Sequence, residues 1–114
     1  MAAEICDRYH AEFTDENARY GDAGREWCRH DNQWLLHWAV NDILGLDDIG
    51  RQALWLAGVL RSRDFPIDRL VRNLQIAAEV ATARVPAPVG TQLATRLTSA
   101  AVAVAAGPDG SAGE

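Results

Sequence analysis

The chain has 114 residues, enough to bury one hydrophobic core and too few for two. Its 48% apolar and 24% charged residues are those of an ordinary globular domain. A net charge of −5 argues against a nucleic-acid or anionic-membrane footprint. No apolar run reaches the ~18 residues of a membrane span, and Met1-Ala2-Ala3-Glu4 lacks the basic and apolar regions of a signal peptide, so a cytoplasmic protein is expected.

All eleven basic residues are arginine; with the abundant alanine this reads as a bacterial genome rich in G and C. Cys6 and Cys28 make an even count, but without secretory context they are expected to be reduced thiols.

Ile5, Tyr9 and Phe13 recur at four-residue intervals and predict a short helix over residues 2–13. Thr14-Asp15-Glu16-Asn17 offers caps for a fresh turn, so a break or kink is expected there. Tyr20-Gly21-Asp22-Ala23-Gly24 is the first clear punctuation: Gly21 can take a left-handed turn and Asp22 can serve as an N-cap. A central helix then runs from about Ala23 to Leu44, and Gly45-Leu46-Asp47-Asp48 ends it and caps the next.

Ile49, Ala53, Leu56, Ala57 and Leu60 give the third helix an inward stripe, with Trp55 near its edge. Arg61 to Pro66 is a polar turn in which Asp64 is a candidate N-cap and Pro66 fits the first helical turn. Ile67, Leu70, Val71, Leu74, Ala77, Ala78 and Ala81 mark a fourth helix that ends before Pro86 and Pro88. Leu93, Leu97, Ala101 and Val104 suggest a fifth. The sequence therefore predicts an all-α fold, a four- to five-helix bundle or globin-like domain over residues 1–106, with a flexible tail at 107–114.

The unusual chemistry sits on the central helix. At about 100° per residue, Trp27, Trp34, Leu35 and Trp38 share one face, with Asp31 in its middle. Leu36, Val40 and Ile43 form a second stripe, so the helix is expected to be covered from two directions. The aromatic stripe is read first as core or dimer interface, with a pocket for a flat ligand as the alternative.

Asp31 among tryptophans needs a partner, because an unpaired buried charge is costly. It is expected to form a buried pair with Arg63 or Arg72. Accepting from an indole N–H, anchoring a ligand, or standing on a stripe not fully buried are the alternatives.

His30 and His37 lie roughly 10 Å apart along the helix and cannot share one metal ion. Cys28 and Asp31 make only half a metal site, and no Glu-x-x-His pair exists for a carboxylate-bridged one. No nucleophile elbow, Walker loop or Cys-x-x-Cys is present, so no enzyme activity, metal or cofactor is expected. Arg25 and Arg29, and the cluster Arg61, Arg63, Arg69 and Arg72, read as a solvated face or partners of the many acids.

The order Tyr20-Gly21-x-x-Gly24-Arg25-x-x-Cys28-x-x-Asp31-x-x-Trp34-x-Leu36-x-Trp38, continued by Trp55-Leu56, Leu60, Arg63, Pro66, Leu70 and Leu74, resembles a helical module of bacterial signalling proteins. There it accompanies cobalamin-binding or STAS-type sensory domains. The resemblance covers about Tyr20 to Ala83. It departs at Trp34-Leu35-Leu36, where the family pattern has Tyr-His-Leu, so a ligand served by that histidine is in doubt. It implies a sensory or regulatory domain acting through protein contacts, here in a stand-alone form.

The expectation is thus a non-enzymatic regulatory domain that self-associates as a homodimer, with a possible signalling partner. A small-molecule sensor with a tryptophan-lined pocket is the alternative. Trp27, Asp31, Trp34, His37, Trp38 and Trp55 are the candidate ligand or interface residues.

Overall fold

A computed structural model describes residues 1–112, which form five helices and, among these residues, no strand: α1 (Ala2–Glu12), α2 (Asp15–Ile43), α3 (Ile49–Ser62), α4 (Ile67–Arg84) and α5 (Val89–Ala112). The all-α bundle anticipated from periodicity is the fold. None of the helices is long and apolar enough, among the described residues, to cross a membrane.

α5 packs along α3 and α4, while α1 is held between α2 and α4. The core forms where the expected stripes meet: Ile49, Ala53 and Leu56 of α3, Leu70, Leu74, Ala77 and Ala81 of α4, and Leu93, Leu97, Ala101 and Val104 of α5. α4 is buried over a wider arc than its stripe implied, since Asn73, Ile76 and Val80 also point inward. Alanine on facing positions of α4 and α5 lets these two helices approach closely. The tail expected at 107–114 falls on the end of α5, whose backbone breaks at Gly107 (φ 70°, ψ 168°), and on residues 113–114, which lie outside the described residues.

Two expected caps are corrected. The break expected at Tyr20–Gly24 is there: within the helical run Asp15–Ile43 the backbone turns non-helical at Gly21 (φ 58°, ψ −142°), and this kink separates a short first piece from the central helix. Only glycine takes that backbone without strain. Asp22 lies inside the helical run, whose N-cap is Thr14, and does not cap it.

The second correction concerns Asp64. It does not cap α4, whose N-cap is Pro66. Asp64 instead takes φ 58° just past the end of α3. Its N–H bonds to Arg61 O and that of Phe65 to Leu60 O, each at 3.0 Å. This paired arrangement is a Schellman motif, in which a left-handed residue closes the helix and a hydrophobic residue folds back on the last turn.

α2 ends the same way, with Gly45 at φ 76° and Leu46 N–H bonding to Asn41 O at 2.8 Å. Asp48 then caps α3 by accepting from Arg51 N–H, as expected.

Arginines of α4 tie the N-terminal segment to the bundle. Arg84 reaches Glu4 at 2.8 Å, Arg72 reaches Glu12 at 2.8 Å, and Arg69 grips Asp15 and Glu16, each at 3.0 Å. α2 packs on α1 and α5 but only sparsely on α3. Along α2 from Glu16 to Trp38, that leaves a cleft.

Candidate functional site

The cleft has a volume of about 920 Å³, within the range of small-molecule sites. One wall is α2, contributing Tyr20, Gly24, Trp27, Cys28, Asp31, Trp34 and Trp38; the other is α3, contributing Gln52, Trp55, Leu56, Val59 and Leu60. Phe65, Arg69, Leu70 and Asn73, from the turn after α3 and from α4, close the back. Five of the six candidate residues named from the sequence therefore meet here, although Trp55 comes from a different helix.

His37 does not line the cleft. It stacks edge-on against Trp34 with centroids 5.7 Å apart, and its Nε2 pairs with the Asn41 amide at 3.0 Å.

The tryptophan stripe divides. Trp38 is 9% exposed and belongs to the core, as does Leu35. Trp27, Trp34 and Trp55 are 55%, 44% and 61% exposed and stand at the mouth of the cleft. Of the readings weighed for the stripe, core holds for Trp38 and Leu35 but not for Trp27 and Trp34, which leaves an interface or a pocket for those two. Helical spacing placed them on one face but gave no information on whether a neighbouring helix covers it. α2 packs only sparsely on α3, and Trp27 and Trp34 stay uncovered.

The indole of Trp34 donates to His30 Nε2 at 3.3 Å, leaving Asp31 without an indole donor from that side chain. The second expected stripe is also incomplete. Val40 is exposed, and Leu36 and Ile43 are only partly covered.

Asp31 is the largest departure. Its side chain is 37% exposed, and no arginine lies within 4.0 Å of its carboxylate among the described residues. Arg72, one of the two expected partners, is engaged by Glu12 and Glu79. Arg63, the other, lies exposed at the cleft and acts on Asp31 only at longer range. The nearest cation-forming group is His30, at 3.9 Å. Desolvation by the surrounding rings holds the Asp31 carboxyl above its ordinary range, opposed by the weaker pull of His30 and Arg63. The buried arginine pair is thus absent.

Three polar residues that sequence reasoning passed over complete the site. Glu16 is buried at the closed end, where it accepts from the Tyr9 hydroxyl and from Arg69. Burial and the Glu16 charge push the Tyr9 phenol well above its usual range, so it stays a donor. The Arg69 guanidinium also covers the Phe13 ring at 4.5 Å.

At the floor, Asn32 and Asn73 exchange two amide hydrogen bonds, 3.1 and 2.8 Å, joining α2 to α4. Asn32 also donates to Cys28 O at 2.9 Å and lies 3.5 and 3.4 Å from the sulfurs of Cys6 and Cys28. Both cysteines are free thiols. A pair of amides 41 positions apart leaves no local sequence pattern. The available signal was an asparagine on the inward face of each helix.

His10 lies apart, buried beside a smaller pocket of about 400 Å³ that Cys6, Asp7, Arg25 and Arg29 also line. Burial holds its imidazole below the ordinary value, which keeps it neutral. Among the described residues, no group of three or more His, Cys, Asp or Glu side chains is arranged to hold a metal ion. Comparison with protein-family models, with curated proteins and with solved structures gave no match.

Proposed function

We propose that this chain is a non-enzymatic, ligand-binding sensory domain of a bacterial regulatory protein, working in the cytoplasm. The observation that carries the reading is the open aromatic cleft. Three indoles are held half out of the core on two separate helices, around a volume suited to a small organic molecule. Two neighbouring helices with no ligand to meet have little reason to expose three tryptophans to water around one cleft.

The resemblance to sensory modules supports the same reading. Tyr20, Gly24, Cys28, Asp31, Trp34 and Trp38, and then Trp55, Leu56, Leu60, Arg63 and Leu70, all border the cleft. The missing histidine of the family pattern points to a different ligand from the one those modules serve.

The test is extraction of the purified protein with organic solvent, followed by mass spectrometry and by an absorption spectrum of the intact sample. A compound retained by the parent and lost from Trp27→Asp and Trp55→Asp supports the reading. Equal retention by parent and both variants would sink it.

A second reading, self-association, rests on a different observation. Val40, Leu44 and Leu46 at the C-terminal end of α2 are exposed together with Trp27, Trp34 and Trp55. A homodimer, or a signalling partner, would cover them. Light scattering distinguishes the cases: twice the chain mass of 12.4 kDa supports the homodimer, and the chain mass at every concentration excludes it.

A further inference from the structure

We propose that the cleft takes a planar aromatic cation, its rings against Trp27, Trp34 and Trp55 and its positive group facing Asp31. The inference rests on the cleft being a binding site and names the chemistry of what fills it.

Most of the polar groups in the cleft are already answered within the protein. Glu16 and Arg69 neutralise each other at the closed end, with Tyr9 and Asp15 completing their hydrogen bonds. The Asn32–Asn73 pair uses its donors on its own members and on Cys28. Gln52 gives its amide to Asp47. Asp31 remains, a half-buried carboxylate with no arginine within 4.0 Å among the described residues. His30 turns its Nδ1 toward Asp31 at 3.9 Å, beyond hydrogen-bond length, from a largely exposed ring whose Nε2 accepts from the Trp34 indole. Arg63 stands at the rim, where an exposed guanidinium on a long stem can remain in water.

A carboxylate desolvated by aromatic rings and left without a cation is costly unless a guest supplies one. The rings around it add to the preference. Each indole face carries negative quadrupole potential, and attraction to a cation is strongest for tryptophan. An anion would meet Asp31 and the ring faces together, both repulsive. A neutral aromatic gains the stacking but leaves Asp31 unanswered. Size completes the case: about 920 Å³ is far more than a simple ammonium needs and accommodates a fused ring system. The structure therefore favours a flat body with a positive nitrogen over a compact cation.

The experiment uses three fused-ring probes of similar shape and different charge: proflavine as cation, acridine as the uncharged form at pH 8, and anthracene-2-carboxylate as anion. Each is titrated into ¹⁵N-labelled full chain while the four indole N–H signals are followed. The expected result is that proflavine moves the Trp27, Trp34 and Trp55 signals and binds at least ~10-fold more tightly than acridine, with the anion weakest. In Asp31→Asn, which keeps the side-chain shape, the advantage of proflavine over acridine should fall to within about twofold while acridine binding is unchanged. Trp55→Ala, at an exposed position that leaves the core intact, should weaken both.

Equal affinity for acridine and proflavine, tighter binding of the anion, or an undiminished proflavine preference in Asp31→Asn would each overturn the cation and leave the cleft as a binding site. Absence of any shift in the cleft indoles with all three probes would overturn both. Should Asp31→Asn fail to fold, the order of affinities for the parent chain decides alone.

Discussion

Glu16 and Asp31 sit on the same helix and border the same cleft, yet the fold treats them in opposite ways. Around Glu16 the structure is finished: a hydroxyl and a guanidinium meet the carboxylate, and that guanidinium lies over a phenyl ring. Around Asp31 it is left open: burial is partial, His30 stands 3.9 Å away, and among the described residues no arginine comes within 4.0 Å. The Gly21 kink lies between them. On its N-terminal side α2 is pinned by Arg69 from α4; beyond it the helix meets α3 only sparsely. The comparison teaches that an acidic residue in a helical bundle is structural when a neighbouring helix delivers its partner. It is available to a guest when that helix stands away.

Removing Glu16 should break the closed end most severely. Glu16→Ala leaves the buried Tyr9 hydroxyl without its acceptor and the partly buried Arg69 with Asp15 alone to pair it. A loss of ~3 kcal/mol is expected, at the low end for a broken buried pair because Asp15 remains. Urea melts followed by helical circular dichroism measure it, and a loss under ~1 kcal/mol would erase the contrast.

Asn73→Ala tests the floor between the two ends. It orphans the Asn32 carbonyl and one of its amide donors in a buried place, for an expected ~2 kcal/mol by the same melts.

Gly21→Ala probes the divide itself. Forcing a β-carbon into a left-handed backbone should cost ~1–2 kcal/mol, or straighten α2 and change the cleft, visible as altered proflavine affinity.

The smallest effect is expected at Asp31. The buried arginine pair expected from the sequence would make truncation cost ~3–5 kcal/mol. Without one, Asp31→Ala should change stability by less than ~1 kcal/mol. The pH dependence has a definite sign. A carboxyl raised in the folded state penalises folding above its raised pKa. That penalty disappears as the pH falls below the unfolded value of ~3.9. Asp31→Asn should therefore equal or slightly exceed the parent in stability at pH 7, and the difference should vanish in acid. His30 and Arg63 reduce the size of this effect and do not reverse it.

The helices were legible because each carries its own boundary chemistry: Asp48 as cap, Gly45 as stop, prolines before α4 and α5, and apolar residues at helical spacing. The cleft residues were legible as a group because Trp27, Asp31, Trp34 and Trp38 fall on one face. What the chain could not state locally was the cover over that face. Whether Trp34 is packed or open depends on where α3 stands, and that depends on the five-residue link from α2 and on the α3–α5 packing. The same limit hid Glu16 and the Asn32–Asn73 pair, whose partners are 53 and 41 positions away. Asp64 was misplaced because aspartate serves two backbone roles, cap acceptor and left-handed residue, and composition does not separate them.

Three wet indoles and one dry one also determine how this protein will look in a fluorimeter. Native emission will be dominated by Trp27, Trp34 and Trp55, already close to that of tryptophan in water. Denaturant will therefore shift the spectrum little, with Trp38 alone reporting the loss of the core. A guest seated in the cleft acts on the other three, moving emission to the blue or quenching it. In this chain, intrinsic fluorescence is a poor thermometer of folding and a sensitive gauge of occupancy.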